Sequence, residues 1–400
     1  MPEPAKVVIV SQHYPPDSST TAAIMAEISG HLAAQRPILV LSGMPGSATN
    51  DAASSNRPNV VEIRNRIPGK AALTRRALAE ASFTARAFLA LLRRLRRGDV
   101  AVTVTAPFML PYAVAAAARL KRARSVLIMH DLYPDVLVMA GLLAPASIAA
   151  KAMRAANALM FRALDAVVII GRDTGRLLSR YGGITPGKIR FIPNWATLVP
   201  GVRPILADNR YRTAHAARFV VGLSGNLGFT HDPWIVFEAA RLLRGEADIH
   251  FLLSGWGVGF ERLQRMQAEA TLPNVTLVDR VADEDLEEFL SAANVWLIPY
   301  RKNVAGVSVP SRFYNLLAVG RPVILVSEPD AEAALTVTEH DVGWVVPPGD
   351  ARELARTIGL ASSSEDSSRA ERAAQIARGF NLAVAMASYA ALIRGLQQEI

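Results

Sequence analysis

The run Val307 to Leu325, VSVPSRFYNLLAVGRPVIL, brings two serines and an arginine to the opening of a helical pattern that closes at Gly320. Ser311 and Arg312 stand at the helix start, where backbone N–H groups, a hydroxyl and a guanidinium suit an anion such as a diphosphate. Simple capping by Ser311 with a solvated Arg312 is the plainer alternative. Two glycine runs point the same way: Leu223-Ser224-Gly225-Asn226-Leu227-Gly228 and Ser254-Gly255-Trp256-Gly257. Gly225 and Gly228 let backbone come close to a phosphate, and the backbone of Gly255 and Gly257 or the Trp256 indole can line a nucleobase. In the first half, an apolar run ends in His130-Asp131-Leu132-Tyr133-Pro134-Asp135. His130 there can hydrogen-bond a sugar hydroxyl, while a carboxylate, Asp131 or Asp135, fixes the imidazole or orients an acceptor hydroxyl. A turn stiffened by Pro134 and capped by Asp131 is the competing explanation.

Such groups act only if something brings them together. Buried-strand patterns recur at Val7–Val10, Ile38–Leu41, Val100–Val104, Ser125–Met129, Ala166–Ile170 and Lys188–Ile192, with helical periodicity between most of them. That alternation predicts a parallel sheet. The first helix follows His13 to Thr21, so Ser18, Ser19 and Thr20 sit at a strand's carboxyl end, where they can cap the helix or meet an acceptor. A second series runs through Phe219–Leu223, Ile249–Leu253, Val275–Leu277, Val295–Ile298, Pro322–Leu325 and Gly343–Val346. The expected organisation is a domain over 1–200, a linker over 201–217 rich in Pro and polar residues, and a second domain over 218–379. Both domains read as doubly wound α/β. Open parallel sheets bind ligands beyond the carboxyl ends of their strands, so a cleft between the two domains is the expected site.

Composition narrows the chemistry. Four hundred residues with 51% hydrophobic content fit two domains, and the absence of Cys removes disulfides, thiolate metal sites and thiol nucleophiles. Val7–Val10 is too short for a signal peptide's apolar core, and no stretch reads as a membrane span, so a cytoplasmic protein is expected. The net charge is +9, and residues 70–97 carry Lys70, Arg75, Arg76, Arg86, Arg93, Arg94, Arg96 and Arg97 against Glu80 alone. Leu73, Leu78, Phe83, Phe88, Leu91, Leu92 and Leu95 lie between them. This is either a basic amphipathic helix that binds an anionic membrane from the inner face, as a peripheral protein, or a helix packed on its own domain. No nucleic-acid-binding motif accompanies the charge.

On these residues the chain resembles the retaining glycosyltransferases of family four. QHYPPDSSTTA, HDLYPD and IPNW resemble landmarks of the family's first domain, and SGNLG, LSGWG and VPSRFYNLLAVGRPVI those of its donor domain. The resemblance extends to Gly379-Phe380-Asn381 and a tail over 380–400 that completes the first domain. It is nearest to enzymes of cell-surface polysaccharide and O-antigen assembly. It implies the GT-B fold, two Rossmann-like domains facing across a cleft, and sugar transfer from a nucleotide-diphosphate sugar with retention of configuration. The acceptor would be a glycan or polyprenyl-linked sugar, and neither metal nor other cofactor is implied.

By position, His130 would meet the donor sugar, Asn226 and His231 would sit at the phosphates, Arg312 would add charge, and Arg280 would lie near the base. The family's paired glutamates fall on Val307 and Asn315, the latter able to bond a ribose hydroxyl. These departures leave two alternatives open: a catalytically idle relative that binds a nucleotide-sugar or a membrane, and a nucleotide-sugar epimerase.

Overall fold

The computed structural model describes residues 5–48, 56–65, 73–212, 218–364 and 367–398. The first domain runs β1 (Val7–Ser11), α1 (Thr20–Ala33), β2 (Ile38–Ser42), β3 (Asn59–Glu62), α2 (Leu73–Arg94), β4 (Val100–Val104) and α3 (Leu110–Lys121). It continues with β5 (Arg124–Met129), α4 (Asp135–Met139), α5 (Ile148–Ala163), β6 (Ala166–Ile169), α6 (Arg172–Leu178) and β7 (Ile189–Phe191). Its strands lie in the order β3-β2-β1-β4-β5-β6-β7, all parallel. β1, β2 and β4 are buried at every residue, because helices cover both faces. The edge strand β3 buries only Val60 fully, and its short half-polar stretch gives the sequence no apolar run to reveal it.

The second domain runs β8 (Phe219–Asn226), α7 (Pro233–Leu242), β9 (Ile249–Trp256), α8 (Val258–Ala270), β10 (Val275–Val278), α9 (Leu286–Ala292) and β11 (Val295–Pro299). Then follow α10 (Arg312–Ala318), β12 (Val323–Val326), α11 (Glu332–His340), β13 (Gly343–Val346), α12 (Ala351–Ser362), α13 (Ser368–Ala377) and α14 (Leu382–Gln398). The strand order is β10-β9-β8-β11-β12-β13. Each sheet reverses its winding beside its first strand, at β1/β4 and β8/β11, where doubly wound sheets open a crevice.

Both domains bury cores on the two sides of their sheets. α1 and α14 lie on one face of the first sheet, where Met25, Ile28, Met386 and Tyr389 meet Val7 and Ile9. α2 and α3 cover the other, where Phe83, Ala87 and Leu91 meet Val8, Val10 and Val114. The amphipathic window therefore packs its main apolar stripe on its own domain, the second of the two readings of that stripe. Lys70 of that window, like residues 1–4, 213–217 of the linker and 399–400 of the tail, lies outside the described residues, as do the side chains of Leu73 and Arg76.

The described part of the linker runs along the second domain. Gly201 N donates to Ala318 O, Arg203 pairs with Glu287, and Arg212 Nη1 donates to Ala292 O and Asn294 Oδ1. The chain crosses back after α13, where Ala196 N donates to Phe380 O at 2.8 Å and α14 docks on the first domain.

Candidate functional site

The two sets of strand ends meet directly. After β6, Asp173 Oδ2 accepts from Gly306 N at 2.8 Å and from Glu332 N at 3.0 Å. In return, Glu332 at the start of α11 accepts from Arg172 N at 2.6 Å and from Arg172 Nε at 2.9 Å. Two helix N-termini thus face each other across the domain boundary, and the acid of each caps the other. A carboxylate is stabilised there by free N–H groups and by the positive end of the helix dipole. Burial nonetheless pushes Asp173 above the usual carboxylate range. Gly171 has no room for a side chain: a Cβ would lie 2.4 Å from Asp173 Oδ1 and 2.7 Å from Val309 Cγ2.

One strand away from β6, β5 ends at His130 and Asp131, whose backbone N–H groups share Thr105 Oγ1 at 3.3 and 3.1 Å. The His130 imidazole is withdrawn from water, so its pKa falls to about 4, and Nε2 is buried with no hydrogen-bond partner. Asp131 is pushed up to about 6 by burial beside a cavity of about 20 Å³ that Thr105, Tyr112 and Asn157 also line. A neutral imidazole with one free nitrogen can accept or donate a hydrogen bond to a hydroxyl, according to tautomer. Asp135 is differently placed from the acceptor role expected of it. Its carboxylate is held by the Tyr181 hydroxyl and by Arg154 Nη2 at 3.4 Å, on the α5–α6 side of the domain. Ser19 caps α1 by accepting from Ala22 N, while Ser18 and Thr20 remain exposed at the end of β1.

In the second domain β8 and β9 run further than expected, pairing through Gly225–Gly255 and Asn226–Trp256, so these residues are final strand rungs and not loops. A Cβ on Gly255 would stand 2.4 Å from Gly225 O, which is why glycine carries the close approach. Gly225 has φ +100, and its missing side chain leaves room for the Arg312 guanidinium, whose Cζ lies 2.9 Å from an ideal Cβ there. Arg312 donates through Nη1 to Ser224 O and through Nη2 to Asn226 O, and burial lowers its pKa to about 10. It still carries its charge at neutral pH, but it braces the end of β8 from beneath. The Asn226 side chain is accommodated by Gly257, with Oδ1 2.5 Å from where a Cβ would be.

His231 lies beneath this turn, 5.0 Å from the Tyr300 ring, with Nδ1 3.0 Å from Thr230 Oγ1 and Nε2 buried without a partner. Burial, then the nearby Arg312 and Arg301, depress its pKa, so it adds no positive charge for a phosphate. Arg301, which the sequence analysis passed over, donates from Nε to His231 O at 2.9 Å and is exposed just past β11. Its signal was the pair Arg301-Lys302 immediately after a strand.

At the ends of β9 and β10, Arg280 Cζ stacks 4.6 Å from the centroid of Trp256, itself 41% exposed. Such a cation–π pair forms a flat platform at the carboxyl ends of these strands. α10 has only seven residues, and Ser311 makes no side-chain cap, so the capping alternative for Ser311 is not what the structure shows. Asn315 turns from the ribose expected of it toward the segment before the linker, accepting at Oδ1 from Thr197 N at 2.7 Å, Leu198 N at 3.2 Å and Thr197 Oγ1 at 3.3 Å and donating from Nδ2 to Thr197 Oγ1 at 2.9 Å. Among the described residues no cluster of three His, Asp or Glu side chains could hold a metal.

Comparison with known proteins assigns both halves. Residues 14–195 match the family model described as glycosyl transferase 4-like domain, and residues 218–362 match glycosyl transferases group 1. The Probable glycosyltransferase WbjE of Pseudomonas aeruginosa is 28% identical over 271 residues, a stretch spanning 66% of each chain. WcaI of Escherichia coli K12, named for colanic acid biosynthesis, is 24% identical over 301 residues and 73% of each chain. Among solved structures, a sucrose-phosphate synthase of Thermosynechococcus elongatus superposes with a TM-score of 0.72 at 18% identity, covering 99% of this chain and 100% of its own. Anabaena HepE in complex with UDP-glucose gives 0.67 at 18%, covering 98% and 99%. The fold is GT-B.

Proposed function

Because residues 14–195 match a glycosyl transferase 4-like domain and residues 218–362 match glycosyl transferases group 1, we propose that the chain moves a sugar from a nucleoside-diphosphate sugar, held by the second domain, onto an acceptor hydroxyl at the first. The observation that carries this reading is the contact of Asp173 with Gly306. It joins the loop after β6 to the loop after β11, which supports a reading in which His130 and Asp131, one strand over, face the Gly225 end of β8, one strand over on the other side. Adjacent strands lie about 4.8 Å apart, which favours a single cleft for these groups.

In this reading Trp256 and Arg280 hold the base. Arg301 and Lys302 meet the diphosphate where charge develops as the bond to the sugar breaks, with no metal ion required. His130, neutral at pH 7, bonds a sugar hydroxyl, and transfer proceeds with retention. The likeness to WbjE and WcaI supports a place in cell-surface polysaccharide assembly, with a glycan or polyprenyl-linked acceptor at the inner face of a membrane. HepE's complex with UDP-glucose supports a UDP-sugar as the first donor to try. The commitment of Asn315 to Thr197 and Leu198, and the buried Val307, favour one second reading, an idle relative that binds nucleotide without transfer.

Calorimetric titration of UDP, GDP, ADP and TDP in EDTA, into wild type and into Trp256→Ala and Arg280→Ala, tests the donor site. One nucleotide is expected to bind, about tenfold more weakly in either variant, which corresponds to about 1.4 kcal/mol. Equal affinity in both variants would move the base elsewhere. With the bound nucleotide's sugars, NMR of the product then gives the anomeric outcome, and absence of any product with a set of lipid-linked glycans would favour the idle relative.

A further inference from the structure

The positive charge of this chain is concentrated in one layer. Helices α2, α3 and α5 lie side by side over one face of the first sheet, and between them carry ten Lys or Arg against Glu80 alone. That excess equals the net charge of the whole chain, +9, so the rest of the protein is balanced.

The same layer exposes apolar side chains in register. α5 buries Ala150, Asn157, Met160 and Phe161, and turns outward Ile148, Ala152, Ala155 and Leu159. The spacing i, i+4, i+7, i+11 places these four in one stripe along the helix, with Lys151 and Arg162 beside it. Ile148 is 88% and Leu159 67% exposed, and Leu142, in the loop before the helix, is 68% exposed. α2 repeats the device. Beyond the stripe it buries on the sheet, Leu78, Ser82, Ala85 and Leu89 form a second, exposed stripe at the same spacing, with Arg75, Arg86 and Arg93 beside it. α3 lies between the two helices and adds exposed Leu120 and Arg119.

We propose that the α2–α3–α5 layer is a membrane-docking face, with its leucine and isoleucine stripes inserted at the headgroup boundary of an anionic bilayer and its arginines and lysines on lipid phosphates. The occupant follows from charge and shape together. A second copy of this face would set like charges against like, and a nucleic acid would have no use for aliphatic stripes. An anionic bilayer takes both, since apolar insertion and attraction of basic side chains reinforce each other at its surface. No described helix is long and apolar enough to cross the membrane, so docking would be from one side.

Vesicle flotation of the full chain, without nucleotide or acceptor, tests this separately from sugar transfer. The vesicles are pure phosphatidylcholine, or phosphatidylcholine with about a third phosphatidylglycerol. Retention is expected on the anionic vesicles at low salt, about tenfold less on neutral ones, and progressively less as salt rises. The substitutions Ile148→Glu with Leu159→Glu alter only exposed side chains, so melting should be unchanged while retention falls about tenfold. The control pair Leu242→Glu with Leu360→Glu, on exposed positions of the second domain, should float as wild type does. Three outcomes overturn the proposal: no retention on anionic vesicles, equal retention of the Ile148/Leu159 variant and wild type, or equal loss in the control pair. Retention by duplex DNA that the Ile148/Leu159 variant keeps, in place of vesicle binding, would assign the charge to nucleic acid. A dimer by light scattering that this variant dissolves would assign the stripes to self-association.

Discussion

His130 and Asp131 are neighbours that burial drives in opposite directions, and the consequence is visible only with pH. The His130 pKa falls from 6.5 to about 4, so between those values the unfolded chain takes a proton that the folded one refuses, and stability drops as pH falls. Asp131 rises from 3.8 to about 6, so in that range the folded chain holds a proton that the unfolded one has released, and stability grows as pH falls. Each shift amounts to about 3 kcal/mol, and between pH 6 and 4 the two nearly offset. Asp131→Asn should therefore unmask a steep acid loss, and His130→Gln should unmask a gain on acidification. Denaturant titrations at pH 7, 6 and 5 decide it, since parallel profiles for the three proteins would show that neither group is buried in the stated way. Asn315 offers a second test. Asn315→Ala removes the side-chain hydrogen bonds to Thr197 and Leu198 and should cost about 1–3 kcal/mol with nucleotide affinity within twofold of wild type. A tenfold loss of affinity at unchanged stability would return Asn315 to the ribose. The position of the residue was legible in the sequence, but its partner was not, because a contact 118 residues distant leaves no local pattern.

At the scale of elements, the paired N-termini of α6 and α11 hold the cleft. Glu332 is 4% exposed and satisfies a backbone N–H as well as a guanidinium, whereas the Arg172 side chain is 40% exposed and also reaches Glu339. Glu332→Ala deletes a cap and leaves Arg172 N without its acceptor, a loss of about 2–3 kcal/mol. Arg172→Ala keeps both backbone caps and loses a partly hydrated ion pair, so about 1 kcal/mol is expected. Thermal melts should rank the variants in that order, and small-angle scattering should show the larger increase in radius of gyration for Glu332→Ala. The reverse ranking would mean that the ion pair, and not the reciprocal capping, fastens the domains. None of this interface was anticipated, since Gly171-Arg172-Asp173 reads locally as an ordinary strand-to-helix turn. β8 and β9 show the converse, where glycines suggested loops but the strands continue through them. A glycine breaks a sequence pattern more readily than it breaks a ladder already fixed by its neighbours.

For the whole molecule, the fold was legible because parallel strands covered on both faces must be written as apolar runs, and most were, the half-exposed β3 and the edge strand β7 being exceptions. The fate of an amphipathic stripe was not. Periodicity marks which side of α2 is apolar, but whether a sheet or a lipid receives it depends on elements distant in the chain. The tail makes the strongest whole-molecule claim, since α14 follows the second domain in sequence and packs into the first in space. Met386 is fully buried there among Met25, Ile28 and Tyr389. Met386→Ala should therefore cost about 2–5 kcal/mol, and the loss should fall on the first domain although the substitution lies at the far end of the chain. Hydrogen exchange reads this by element: amides of β1, β2 and β4 should lose protection while those of β8, β9 and β11 keep theirs. Equal loss in both sheets would mean that the domains unfold as one unit. Loss confined to the second sheet would mean that α14 belongs to the domain that precedes it, and that the crossing does not tie the two halves together.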